Sequence, residues 1–325
     1  MATRITLLLA LAWLAAAHGQ VARDDDADTS DAAPAQPSGA DGASTNEADA
    51  VTFELGAGIE HDSDVGVAEL DTTTGAGDVA ASLEFGVAYD RPGESKLDFG
   101  AGYNFSDSLH EDFSAFDVRI HRASARTSYD LGRTDIGASL QYADAALDGN
   151  EFLTLTQVSP YLSRLVGQRL FLRFAYLSTD KDFAGNPGRD ATASSFSSDA
   201  YVFVNGLTTY LVFGHRYDDE NAGAAEFDYT SHRLNLQLSK RLTMRAREVT
   251  LRTYVRFENR DYRAVTPSIG QLRRDDRREL ETMAEIPTGK RLVTRISLKR
   301  ADNDSNLPAV DFAETVLSVE FSATL

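Results

Sequence analysis

His215 stands close to Asp218 and Asp219, and a histidine beside a carboxylate is the minimum apparatus for moving a proton. A lone histidine of this kind is more often a solvated polar residue, and no G-x-S-x-G or H-E-x-x-H pattern accompanies it. Asp302-Asn303-Asp304-Ser305-Asn306 opens like a calcium loop. It lacks the glycine at the sixth position, where Leu307 stands, and the glutamate at the twelfth, where Ala313 stands, so it reads better as an acidic loop. No catalytic residue, metal site or cofactor is expected. The charges that do form a pattern lie in three consecutive segments. Arg252, Arg256 and Glu258 share one parity, then Glu279, Glu281 and Glu285, then Arg295 and Lys299. Alternate spacing puts each set on one face of a strand, so basic, acidic and basic rows would lie side by side. Such rows form either a cross-strand ion network or a charged stripe that selects what passes. With a three-residue turn at 288–290, Glu279 would face Lys299 and Glu285 would lie diagonal to Arg295.

The elements that must position these rows are strands. Residues 312–325 alternate without a break, with Leu317, Val319, Phe321 and Leu325 on the oily face and Ser318, Glu320 and Ser322 on the wet one. Soluble strands average about five or six residues, and one this long suits a wall with lipid on one side and water on the other. The same pattern recurs upstream. It predicts strands at Val51–Glu60, Val79–Tyr89, 97–105, 116–131 with a bulge near His121, 136–142, and Phe152–Leu162 with a parity change and Pro160. Further strands fall at 170–176, 196–204, 207–213, 234–238, 249–257, 280–286 and 292–298. Asn205-Gly206 reads as a two-residue hairpin turn, since both residues tolerate positive φ. With the closing strand this makes about fourteen, an even number, as an all-β, antiparallel, up-and-down transmembrane barrel with both termini on the periplasmic side needs. Long outer connections would then alternate with short inner ones, the outer being 61–78, 106–115, 143–151, 178–195, 217–228, 260–275 and 300–311. Tyr89, Tyr103, Phe105, Tyr142 and Tyr176 supply an aromatic girdle in a chain without tryptophan after Trp13.

The N-terminus sets the compartment. Arg4 precedes the apolar run Ile5–Ala17, and Ala17-His18-Gly19 offers a cleavage site, so 1–19 reads as a signal peptide. Residues 20–50 are rich in Asp, Ala, Ser and Pro and read as a disordered acidic periplasmic tail before a barrel over 51–325. There is no cysteine, so neither a disulfide nor lipidation of a mature cysteine is available. No later stretch approaches the ~18 apolar residues of a spanning helix. A formal net charge of −18 argues against nucleic acid as a partner. The expected surroundings are outer-membrane lipid and the barrel-assembly machinery of a Gram-negative outer membrane.

The last fifty residues resemble the C-terminal barrel of the surface lipoprotein assembly modifier family. The likeness is carried by Arg273-Arg274-Asp275, by Asp304-Ser305-Asn306-Leu307-Pro308, by Asp311 and Val316, and by Glu320-Phe321-Ser322 before a final apolar residue. It implies a fourteen-stranded outer-membrane barrel that helps lipoproteins or secreted proteins reach the cell surface. The sequence differs from that family's usual pattern in having only the acidic tail, not helical repeats, before the barrel. Val310 and Phe312 replace expected tyrosines, and Leu325 replaces a terminal aromatic. A passive pore for small solutes, or a structural or adhesive barrel whose acidic outer loops bind a partner, are the alternatives in the same compartment.

Overall fold

The computed structural model describes residues 50–91, 96–244 and 247–325. The expected signal peptide, and the acidic tail up to its last residue, lie outside the described residues.

Among the described residues, fourteen strands form a closed antiparallel barrel in which every strand pairs with its sequence neighbours. They are β1 (Ala50–Asp62), β2 (Asp78–Arg91), β3 (Leu97–His110), β4 (Val118–Asp130), β5 (Thr134–Leu147), β6 (Asn150–Val166) and β7 (Leu170–Phe183), followed by β8 (Ala191–Asn205), β9 (Thr209–Ala222), β10 (Tyr229–Met244), β11 (Arg247–Thr266), β12 (Gln271–Pro287), β13 (Leu292–Ser305) and β14 (Phe312–Thr324). Closure falls where the alternation is cleanest. Glu54 pairs with Thr324, Ile59 with Val319 and His61 with Leu317, and the last residue is held by Leu325 N–H to Phe53 O at 2.9 Å. Leu317, Phe321 and Leu325 point outward at 49%, 59% and 56% exposure, an exposure of apolar surface that only lipid makes favourable.

Burial follows parity around the ring. Leu234, Leu236 and Leu238 of β10 are exposed, while Arg233, Gln237 and Ser239, which alternate with them, are buried. In a closed sheet the buried set faces the lumen. The outward apolar belt covers only part of each strand. Beyond it, away from the termini, the strands continue with polar residues on both faces, as on β11, where Asn259 and Asp261 share one face and Glu258 and Arg260 the other.

That extension corrects the expected loops. The stretch 143–151 shrinks to Asp148-Gly149, both at positive φ, and 260–275 shrinks to 267–270. The first of these is shorter than the inner turns beside it, so loop length does not alternate as expected. Strand continued above the bilayer is wet on both sides and lacks the oily alternation that marks a strand within it. The motif Asp302 to Asn306 is likewise mostly strand. Asp302 and Asp304 share one face and buried Asn303 and Ser305 the other, so they do not converge on a cation.

Two further corrections concern parity. No bulge lies near His121, since β4 holds a constant register with β3 and β5. The oily residues on the wrong parity, Val118 and Ile120, simply face inward and are buried. In β6 a bulge does occur, at the other end from Pro160. Register with β5 shifts between Ala145 and Ala146, which lets Phe152 and Leu153 both be buried. Pro160 lies where the ladder to β7 lapses, between Val158 and Tyr161, and pairing resumes in the same register. At Asn205-Gly206 only Gly206 has positive φ. The turn is closed by Asn205 opposite Thr209, with a register shift beside it, instead of being the expected two-residue form.

Candidate functional site

The lumen of β10–β14 is crossed by ion pairs between inward residues of adjacent strands. Arg233 reaches Glu258 at 3.2 Å with both side chains 4% exposed, and Arg260 Nε donates to the same carboxylate at 2.6 Å. Arg252 donates to Glu285 at 2.8 Å, Arg256 lies 3.8 Å from Glu279, and Arg295 lies 3.6 Å from Glu285 and donates to Glu320 at 2.7 Å. Lys299 sits 3.2 Å from Glu314. The register differs from the expected one by two residues. Lys299 faces Glu281 and Arg295 faces Glu285, because the last ladder pair before the turn is Pro287 with Val293. A slip of two leaves the inward set unchanged, since side chains alternate with period two.

A second network lay hidden in what the sequence offered as outer loop. Arg216, Asp218 and Glu220 alternate on β9, all buried. Arg216 Nε donates to Asp218 at 2.6 Å, Ser195 and Ser231 donate to the same carboxylate at 2.5 and 3.0 Å, and Lys181 and Tyr229 donate to Glu220 at 3.0 and 3.1 Å. The signal available was the every-second-residue spacing of Arg216, Asp218 and Glu220. His215 is not part of it. It points outward and stacks on His232 at 5.7 Å, while Asp218 points inward, so the two do not form a proton-relay pair.

Across the mouth away from the termini lies the connection 63–77. It carries a two-residue hairpin, Gly66–Val67 against Thr72–Thr73, with a single 3-10 turn at Ala68–Leu70 between them. Val65 and Val67 are 1% exposed. Val67 is buried among inward Val118, Ile120, Ala145, Phe152, Leu153 and Phe183, with Leu70 packed against the same cluster. Val118, Ile120 and Phe152 among them are where parity looked anomalous, and the loop seated on them is the reason. At the tip, Asp71 accepts from Arg273 of β12 at 2.9 Å and is ion-paired with Arg189 of the β7–β8 connection, which also donates to Glu69 O at 2.6 Å. A loop that starts between β1 and β2 is therefore pinned both to the β7–β8 connection, across the ring, and to β12, three strands round from β1.

Two cavities line the lumen beneath it. A cavity of about 50 Å³ lies below the loop, lined by Glu69, Lys181, Arg216, Glu220, Tyr229 and Arg233 among others. Another of about 30 Å³ lies nearer the termini, beside Asp199, Gln237, Tyr254 and Arg256. At roughly 10–15 Å³ of such volume per water, each holds only a few waters. Tyr201 and Tyr210, with Phe171 and Phe203, pack into the lumen toward the end that carries the termini.

No family model matches the chain, and no curated protein does. Solved structures do. A loop L8 deletion mutant of OmpT, an outer membrane protein of Vibrio cholerae, superposes with a TM-score of 0.51 at 7% identity, covering 85% of this chain and 99% of that one. An anion-selective porin from Comamonas acidovorans gives 0.49 at 9% identity over 86% and 99%, and CdiB from Acinetobacter baumannii 0.48 at 10% over 85% and 60%. At these identities the likeness shows the fold alone, which is that of an outer-membrane β-barrel. The comparisons do not connect the chain with the surface lipoprotein assembly modifier family.

Proposed function

We propose that the protein is a gated outer-membrane conduit for small polar solutes, with both termini in the periplasm, the loop 63–77 as its gate and no catalytic role. The observation that carries this is the seating of Val67 and Asp71. One anchors in an apolar pocket of β4–β7, the other on Arg189 and Arg273 across the mouth, so the resting lumen is shut. A wall whose inward charges are already paired is stiff, and opening needs only the loop to leave. Lipid surrounds the belt, and the barrel-assembly machinery inserts the chain. Single-channel recording tests the proposal. The wild-type barrel should be closed most of the time with brief openings, whereas a deletion of 66–73 should conduct steadily. A deletion variant that stays silent while folded would end the conduit idea.

The resemblance of the last fifty residues supports a second role, helping a lipoprotein or secreted protein to the surface. With loop 63–77 seated across the mouth, such a client would travel along the barrel's outer surface or rim and not through its axis. Loss of a surface-exposed lipoprotein from a deletion strain, with its total amount unchanged, is the result that role requires.

A further inference from the structure

The outward face has its own charge pattern, densest over β9–β13. Immediately beyond the apolar belt, on the side away from the termini, stand His215 on β9, His232 on β10, Arg278 on β12 and Arg300 on β13, all exposed. Just below them lie Phe213, Leu234, Leu280 and Leu298, at 49%, 51%, 49% and 53% exposure. One step further out stand the aspartates Asp276 and Asp302, with Asn259 opposite Asp276 on β11. At the corresponding step on β5–β7 the outward residues are Asp144, Thr156 and Ser178, with no cation among them, while β4 carries Arg119, already paired with Asp107 at 2.8 Å.

Arg278 is the informative member. It sits in register between Phe257 and Asp302, and its side chain makes no hydrogen bond or ion pair with the described residues. Arg300 donates to Thr315 at 3.0 Å and to Asp302 at 3.1 Å, and its side chain remains 49% exposed. Leu280 faces Arg300 directly, so Arg278 is its diagonal neighbour, at roughly 7–8 Å between backbones. Both guanidiniums can swing to one point between the strands. An exposed guanidinium at the hydrocarbon edge is costly unless it reaches water or an anion, and its fork matches a phosphate in two hydrogen bonds.

We propose that this outward face of β12–β13 binds the phosphate of an outer-leaflet lipid, its acyl chains lying on Leu280, Leu298 and Leu317 and its headgroup stopped by the aspartate row. The apolar floor directly under the arginines points to a lipid-borne phosphate and not to free phosphate. The proposal is independent of whether the lumen conducts.

The test uses the full-length barrel purified in detergent micelles and titrated with bis-phosphorylated lipid A or its dephosphorylated form, with bound lipid counted by native mass spectrometry. The phosphorylated form should bind at least tenfold more tightly. The double variant Arg278→Gln/Arg300→Gln should reduce it to the dephosphorylated level, and Arg278→Lys should lie between. Arg164→Gln, outward at the opposite end of β6, should change nothing, and unaltered heat-shifted gel mobility should show each variant folded. Millimolar inorganic phosphate should not displace the lipid. Equal binding of the two lipids, unchanged binding by the double variant, or displacement by inorganic phosphate would each overturn the proposal, as would an acidic peptide that competes as well as the lipid.

Discussion

Replacing Asp71 by Ala should unlatch the gate without weakening the wall. Asp71 accepts from Arg273 at 2.9 Å and pairs with Arg189, and its own side chain is only 14% exposed. Hydrogen bonds to charged groups contribute about 1.5–3 kcal/mol each. Taking the lower figure twice, the closed state loses about 3 kcal/mol relative to the open one. At tenfold per 1.4 kcal/mol, the open fraction should rise about a hundredfold. The arginines are not stranded by the change. Arg273 keeps Asp275, donating from Nη2 at 2.7 Å and from Nε at 3.0 Å, and Arg189 keeps its stacking over Phe227 at 4.2 Å. The barrel itself should therefore melt within a few degrees of wild type. Single-channel recording in planar bilayers reads the effect directly, as a large gain in open probability at unchanged unit conductance. A variant that is folded by gel mobility yet gates like wild type would refute the latch. So would one in which unit conductance changes while open probability stays put.

Val67→Ala should also open the gate, by roughly tenfold, because each buried methyl-sized group contributes about 0.8 kcal/mol and the pocket cannot fully collapse; the same bilayer recordings check it. Glu258→Ala leaves Arg233, 4% exposed, without its carboxylate, and should cost about 3–5 kcal/mol in a denaturant titration of the barrel. Gly137→Ala would set a Cβ 2.6 Å from Thr127 O and against the Tyr161 ring, which Arg173 covers at 4.5 Å. A loss of about 1–3 kcal/mol should show in the same titration. Ile296→Arg, on the lipid face of β13, should cost up to about 2–4 kcal/mol, whereas Ser297→Thr beside it in the lumen should be nearly silent.

The strands inside the bilayer were legible because lipid on one side and water on the other force alternation, and every predicted strand has a counterpart. The parts above the bilayer were not. Residues such as Arg216, Asp218 and Glu220 lie in a strand that is polar on both faces there, and a polar stretch reads as loop. The gate left a trace that was open to misreading. Val118, Ile120 and Phe152 broke parity, which suggests a bulge when strands are taken singly. Only the apolar Val65, Val67 and Leu70, in an otherwise polar connection, could have shown that these residues served an inserted loop. Register along the charged rows depended on the turn at 288–291, where an error of two residues leaves parity intact and so leaves no mark in the pattern.

Closure of the ribbon on itself can be measured with two cysteines, since the chain has none of its own. Glu54 and Thr324 are directly opposed on β1 and β14, at the end of the barrel that carries the termini, and paired strands bring Cα atoms within disulfide reach. Cells expressing Glu54→Cys/Thr324→Cys should yield an outer-membrane protein whose seam is oxidised, seen as a reductant-sensitive change in mobility of the fully denatured chain. Free thiols at both positions in folded, membrane-inserted protein would contradict a barrel closed by β1 and β14.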